Sequence, residues 1–238
     1  MIGWNMINNE YKDNDKIGGA TVDTPTIHQK QVNSKDNTSS ISSLVDDIRR
    51  SDFQEHNLLI YPDLLRFRQI YSECTKQALD NNEVVFLATT YDSFDRIEDA
   101  LRSKRISVHD EKKNGNLIIV DALRTYQIDT YGAMNFAKDL IMHAARDGKE
   151  GVFNLSDMGS FFLSERIDEL IGYEQSLPKK MDLKFKAICS YHRDNFVRLA
   201  EEQQRALLLG HNTVIGAKGL RHMPSNDEFF TGWTDRKN

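Results

Sequence analysis

From Phe53 to Ile215 short apolar runs alternate with helix-length amphipathic segments, and that alternation leaves the chain few folds. Parallel neighbouring strands cannot be joined by a tight turn; each needs a crossover, usually a helix, and crossovers of one hand place helices on both faces of a sheet. The apolar runs are Asn57 to Tyr61, Glu83 to Thr89, Asn116 to Asp121, Gly151 to Leu155, Leu183 to Tyr191 and Thr213 to Ile215. Glu83 to Thr89 reads EVVFLAT, a continuous apolar stretch of the kind a strand covered on both faces requires. Helical stripes lie between them at Asp63 to Asn82, Ser93 to Lys104, Gly132 to Asp147, Leu163 to Glu174 with a continuation to Lys180, and Asn195 to Leu209. The spacing predicts an α/β protein with a doubly wound, mainly parallel sheet.

The flanks differ in character. Residues 1–39 are rich in Asn, Asp, Thr, Lys and Gly, with apolar side chains too scattered to define a face, and are read as a disordered tail. Ile41, Leu44, Val45 and Ile48 recur at helical spacing within 40–52, a short helix and linker before the domain at 53–216. Residues 217–238 turn polar again and are read as a second flexible tail. These ends account for a hydrophobic share of 39% and a mean hydropathy of -0.57. A net charge of -5 without a basic cluster argues against direct nucleic-acid binding. Two cysteines, Cys74 and Cys189, make no disulfide framework and are expected to be reduced. Neither a signal peptide nor a bilayer-length apolar run is visible, so the expected location is the cytoplasm, away from membranes.

In open parallel sheets ligands sit beyond the carboxyl ends of the strands. The turn after the first strand, Tyr61-Pro62-Asp63-Leu64-Leu65-Arg66, has no glycine, lacks one N–H at the proline and carries an acid, which opposes a phosphate loop. The other strand ends supply Thr89 to Asp92, Asp121, Ser156 to Ser160 and Cys189 to His192. That set is poor in cations. Tyr61, Met158, Phe161, Phe162 and Tyr191 are suited to walls around a small neutral or weakly polar molecule. No Gly-x-Ser-x-Gly elbow occurs. His56 and His211 are each followed by Asn and then a strand, which would set the two imidazoles at one level; with no third or fourth ligand identified, a structural hydrogen-bonding role is preferred to a metal.

Together, His56 to Tyr61, Glu83 to Thr89, Leu117 to Ala122, Tyr173-Glu174, Ala187 to Tyr191 and His211 to Ile215 resemble, in order and spacing, the methanogen/methylotroph sensory domain, named partly for the DcmR regulator. The resemblance covers roughly 53–216. It implies a RecA/KaiC-like core without a phosphate loop, a strand order of 3-2-4-5-1-6, and sensing of small hydrocarbon-derived ligands. It also implies that Glu174 orients a crevice residue, giving a ligand-binding set of Tyr61, Thr89, Asp121, Asp157, Met158, Glu174, Cys189 and Tyr191. No cofactor, metal or catalytic residue is expected. No helix-turn-helix or kinase region is visible, so output is expected through a signalling or transcription-regulatory protein, with a homo-oligomer left open. The competing readings are a divergent RecA-like ATPase with a non-standard nucleotide site, and a scaffold whose crevice is filled by its own side chains.

Overall fold

The computed structural model describes residues 40–128, 130–177 and 184–216, with no account of the side chains at 127–135. Both expected tails lie outside the described residues; of the expected helical continuation to Lys180, the helix ends at Ser176 with Leu177 in extended backbone, and 178–180 lie outside the described residues. The strands are β1 (His56–Tyr61), β2 (Val84–Thr89), β3 (Leu117–Asp121), β4 (Val152–Asp157), β5 (Phe185–His192) and β6 (Val214–Ile215). They form one sheet in the order β3-β2-β4-β5-β1-β6, with every pairing parallel. Class and order are those expected from the sequence and its resemblance.

Helices cover both faces, and strand alternation decides which residues each layer meets. On one side α1 (Ile41–Arg50), α2 (Leu64–Asp80), α3 (Phe94–Ser103) and α4 (Val108–Lys113) pack on Leu59, Tyr61, Val85, Leu87, Phe153, Leu155 and Ile188. On the other, α5 (Ala122–Ile128), α6 (Thr130–Arg146), α7 (Gly159–Leu163), α8 (Ile167–Ser176), α9 (Arg193–Phe196) and α10 (Glu201–Gly210) cover Leu58, Ile60, Phe86, Val152, Cys189 and Tyr191.

Several helices depart from the expected bounds. The fourth stripe, expected from Leu163, forms its helix only from Ile167 (α8); Leu163 is the last residue of the separate short helix α7, and Glu165, with a φ of 55, lies between the two. The fifth is split into α9 and α10; at the second start the Gln203 side chain accepts a hydrogen bond from the Ala200 backbone N–H at 3.0 Å. Two short helices, α4 and α5, fall between the stripes and are too brief to establish a period. Strand β4 runs on to Asp157, opposite Ser190 of β5, because Ser156 and Asp157 keep the parallel ladder while turning polar groups to the two faces.

Candidate functional site

At the carboxyl edge the strand ends are engaged with the helices that follow them. Asp63 caps α2 by accepting from the Arg66 N–H at 2.8 Å, and Asp121 caps α5 by accepting from Leu123 at 2.8 Å. His192 Nδ1 accepts from the Asp194 N–H at 3.2 Å at the start of α9. Asp157 is the hub. Its Oδ1 accepts from the Gly159 N–H at 3.0 Å and from the Tyr61 hydroxyl at 3.3 Å, while Oδ2 accepts from the Thr90 N–H at 3.3 Å. Over this edge lies Tyr91: its ring is so close to Gly159 that a Cβ there would fall 2.4 Å from a ring carbon, and its hydroxyl accepts from Asn195 Nδ2 at 2.8 Å. Tyr91 therefore ties the β2–α3 loop to α7 and α9. Arg68 of α2 anchors the same loop through Asp92, with Nε 2.9 Å from Oδ1.

Burial raises the Asp157 carboxyl to about 6, against the hydrogen bonds from Gly159, Thr90 and Tyr61 that favour its charge. A folded-state value above the ordinary 3.8 means that the native protein binds this proton more tightly than the unfolded chain does. The Asp157 contribution to stability thus falls as pH rises through that window, by about 1 kcal/mol between pH 5 and pH 7. Urea denaturation of the parent and of Asp157→Asn at both pH values should show the parent losing that amount relative to the variant. A difference independent of pH would contradict it.

A second polar cluster lies on the opposite face of the sheet, beneath α8 and α10. His56 and Cys189 come from adjacent strands, where the β1–β5 register sets Leu58 against Cys189 and Ile60 against Tyr191. Glu174 descends from the last turn of α8, and His211 follows the end of α10. All four are buried, with relative exposures of 0% for His56, 1% for Glu174, 2% for Cys189 and 3% for His211. His56 Nε2 is 3.2 Å from Cys189 Sγ and 3.2 Å from Glu174 Oε2; His211 Nε2 is 3.4 Å from the same carboxylate oxygen. The two imidazole rings are 4.0 Å apart between centroids. Tyr191 donates its hydroxyl to Glu174 Oε1.

The electrostatics of this cluster are opposed. Burial by itself would raise the Glu174 carboxyl, yet the combined effect of His211 and His56 holds it well below the usual carboxylate range. Burial pushes the His56 imidazole down and the Cys189 thiol and Tyr191 phenol up; the Glu174 charge pushes the last two further in the same direction. Around the cluster the wall is aromatic. Tyr126 lies 5.4 Å from Phe161 and 5.7 Å from Tyr173 between ring centroids, and Phe162 meets Tyr191 edge-on at 6.5 Å.

The eight residues named from the sequence therefore separate by face. Tyr61, Thr89 and Asp157 project to the α1–α4 side, in step with Leu59, Leu87 and Leu155, and Thr89 Oγ1 has no protein partner among the described residues. Asp121 ends β3 as the cap of α5. Met158 joins the core of the opposite face, where Glu174, Cys189 and Tyr191 meet. His56 and His211 complete that second group. Their repeated His-Asn signal was legible in the sequence, but its companions come from a helix and a strand more than a hundred residues beyond His56.

The model of the methanogen/methylotroph, DcmR sensory domain matches residues 55–211, about two thirds of the chain. The chain belongs to this family. Every member of the buried cluster, and the whole of strands β1 to β5, falls inside the matched segment of the sensory domain. Neither a curated protein nor a solved structure matches the chain. No described helix is long and apolar enough to cross a membrane.

Proposed function

We propose that this sensory domain binds a small neutral or weakly polar molecule against the aromatic wall beside Tyr191, Glu174 and Cys189, and passes its state to a signalling or transcription-regulatory partner. The observation that carries the reading is the Tyr191–Glu174 hydrogen bond, a fixed polar contact at 0% and 1% exposure set among Tyr126, Tyr173, Phe161 and Phe162. Aromatic faces supply most of the contact area for a small organic guest, and one polar handle supplies orientation. A guest that displaced or lengthened the Tyr191–Glu174 contact would act on β5 and α8 together. It signals only to the extent that it binds one arrangement of these elements better than the other.

The same reading has no nucleotide turnover. Helix α2, which follows β1 where a phosphate loop would stand, has its first-turn Arg66 N–H bonded to the Asp63 carboxylate, and a phosphate would have to expel that anion. Magnesium-ATP is therefore expected to leave the melting temperature unchanged.

Thermal-shift screening of the full chain against one- to three-carbon alcohols, ketones and halocarbons tests the proposal. A compound that raises the melting temperature of the parent should lose its effect on Tyr191→Ala and Cys189→Ala. A hit that both substitutions leave intact would place the binding surface elsewhere.

A further inference from the structure

We propose that His56, Glu174, Cys189 and His211 form a buried site for a divalent transition-metal ion of the zinc class. One potential ligand atom from each residue lies within 4.8 Å of all the others. A tetrahedral ion with bonds of roughly 2.0–2.3 Å holds its donors about 3.3–3.8 Å apart. Three of the six separations, His56 Nε2 to Cys189 Sγ, His56 Nε2 to Glu174 Oε2 and His211 Nε2 to Glu174 Oε2, are 3.2, 3.2 and 3.4 Å and lie at or just below that spacing, and the 4.8 Å limit on the rest leaves a contraction of about 1 Å at most.

The hydrogen bonds of the cluster also point to a cation. His211 Nδ1 is 2.6 Å from the Leu207 carbonyl oxygen, which can only accept, so Nδ1 carries the proton. In the neutral ring Nε2 then presents a lone pair, and it faces an oxygen of the Glu174 carboxylate at 3.4 Å. Two acceptors so placed repel unless positive charge lies between them. A charged His211 would supply a second N–H and is the state in which it lowers the Glu174 carboxyl, but the pair is not aligned as a hydrogen bond, neither His211 Nε2 nor Glu174 Oε2 having such a partner among the described residues; a bound cation would supply the same positive charge. A metal ion accepts both lone pairs at once.

The contacts around His211 and Glu174 are those expected around a metal, while His56 Nδ1 has no hydrogen-bond partner among the described residues. The Leu207 carbonyl fixes the tautomer and plane of His211, and the Tyr191 hydroxyl on Oε1 leaves Oε2 of Glu174 for the ion. Two neutral imidazoles, one carboxylate and one thiolate around a dication sum to zero charge, which suits a site sealed from water. On binding, the Cys189 S–H bond breaks, an S–metal bond forms and the proton passes to solvent. Nitrogen, sulfur and one carboxylate oxygen favour zinc-like ions over magnesium or calcium, and four protein ligands leave the ion no open position. The inference shares Glu174, Cys189 and the Tyr191 contact with the sensory reading but does not require it, since metal binding is read directly on the protein without any small molecule.

The experiment uses the full chain, purified without metal-affinity resin, analysed for bound metal by mass spectrometry, then stripped with chelator and titrated with Zn2+ or Co2+. The expected results are one equivalent bound per chain, a higher melting temperature on loading, and a Co2+ spectrum with tetrahedral visible bands and a thiolate-to-cobalt charge-transfer band. Cys189→Ser should abolish the charge-transfer band, and Tyr191→Phe should weaken affinity about 10-fold or more. His109→Ala, at an exposed histidine, should change neither. Failure of the stripped parent to bind either ion tightly, or a Co2+ spectrum of the parent without thiolate charge transfer, would overturn the site whether or not the variants fold. Small-molecule shifts that persist in a protein shown to bind no metal would remove the metal inference alone.

Discussion

Glu174→Ala is expected to lower the unfolding free energy of the metal-stripped protein by about 3–5 kcal/mol, among the largest single-residue losses in this chain. Three interactions end together. Tyr191 loses the acceptor of its hydroxyl, and His56 and His211 lose the anion that both imidazoles face at 3.2 and 3.4 Å. At 1% exposure no water reaches the groups left behind without rearrangement, so each bears the cost of an unsatisfied buried polar atom. Glu174→Gln retains an acceptor for Tyr191 and should lose clearly less. Urea denaturation at pH 7 gives both values. A loss below about 1 kcal/mol for the alanine variant would mean that the carboxylate is not what holds the cluster together.

The second large effect belongs to the centre of the sheet. Leu155→Ala should cost about 2–5 kcal/mol, because a fully buried side chain leaves a cavity that a rigid strand cannot close. Leu155 is 0% exposed, sits in β4 with β2 on one side and β5 on the other, and packs into the layer formed by α1 to α4. Its backbone stays paired through Leu87 and Ile188, so the fold should persist with an unchanged denaturant slope and a lower midpoint. A cost under about 1 kcal/mol would show that the neighbouring helices collapse onto the vacated space.

The strand runs were legible because a parallel strand buried on both faces cannot hide its composition: Val84 to Thr89 is buried at every position, as the run EVVFLAT predicts. The long helices were legible for a related reason, since α2 must turn a continuous stripe toward the sheet. The order β3-β2-β4-β5-β1-β6 was not written in periodicity at all. It followed from the ordered set of short motifs that resembles the sensory domain, in agreement with the family match over 55–211. Breaks such as Glu165 were illegible because a single left-handed residue leaves no period behind it.

What the sequence determined by itself is the six strands, the longer helices between them and the chemical stock at their ends: acids, aromatics, a thiol and two His-Asn pairs, with no phosphate loop. Which of these groups meet was decided by tertiary structure. Alternation along a strand sends neighbouring residues to opposite faces, so Tyr61 and Asp157 turn toward one helical layer while Cys189 and Tyr191 turn toward the other. The parallel β1–β5 pairing then brings His56 beside Cys189 across 133 positions of chain, and the packing of α8 and α10 on that face delivers Glu174 and His211 to the same point. Strand alternation can be read along one segment. The meeting of four segments depends on the register and packing of all of them, which no single stretch of sequence encodes.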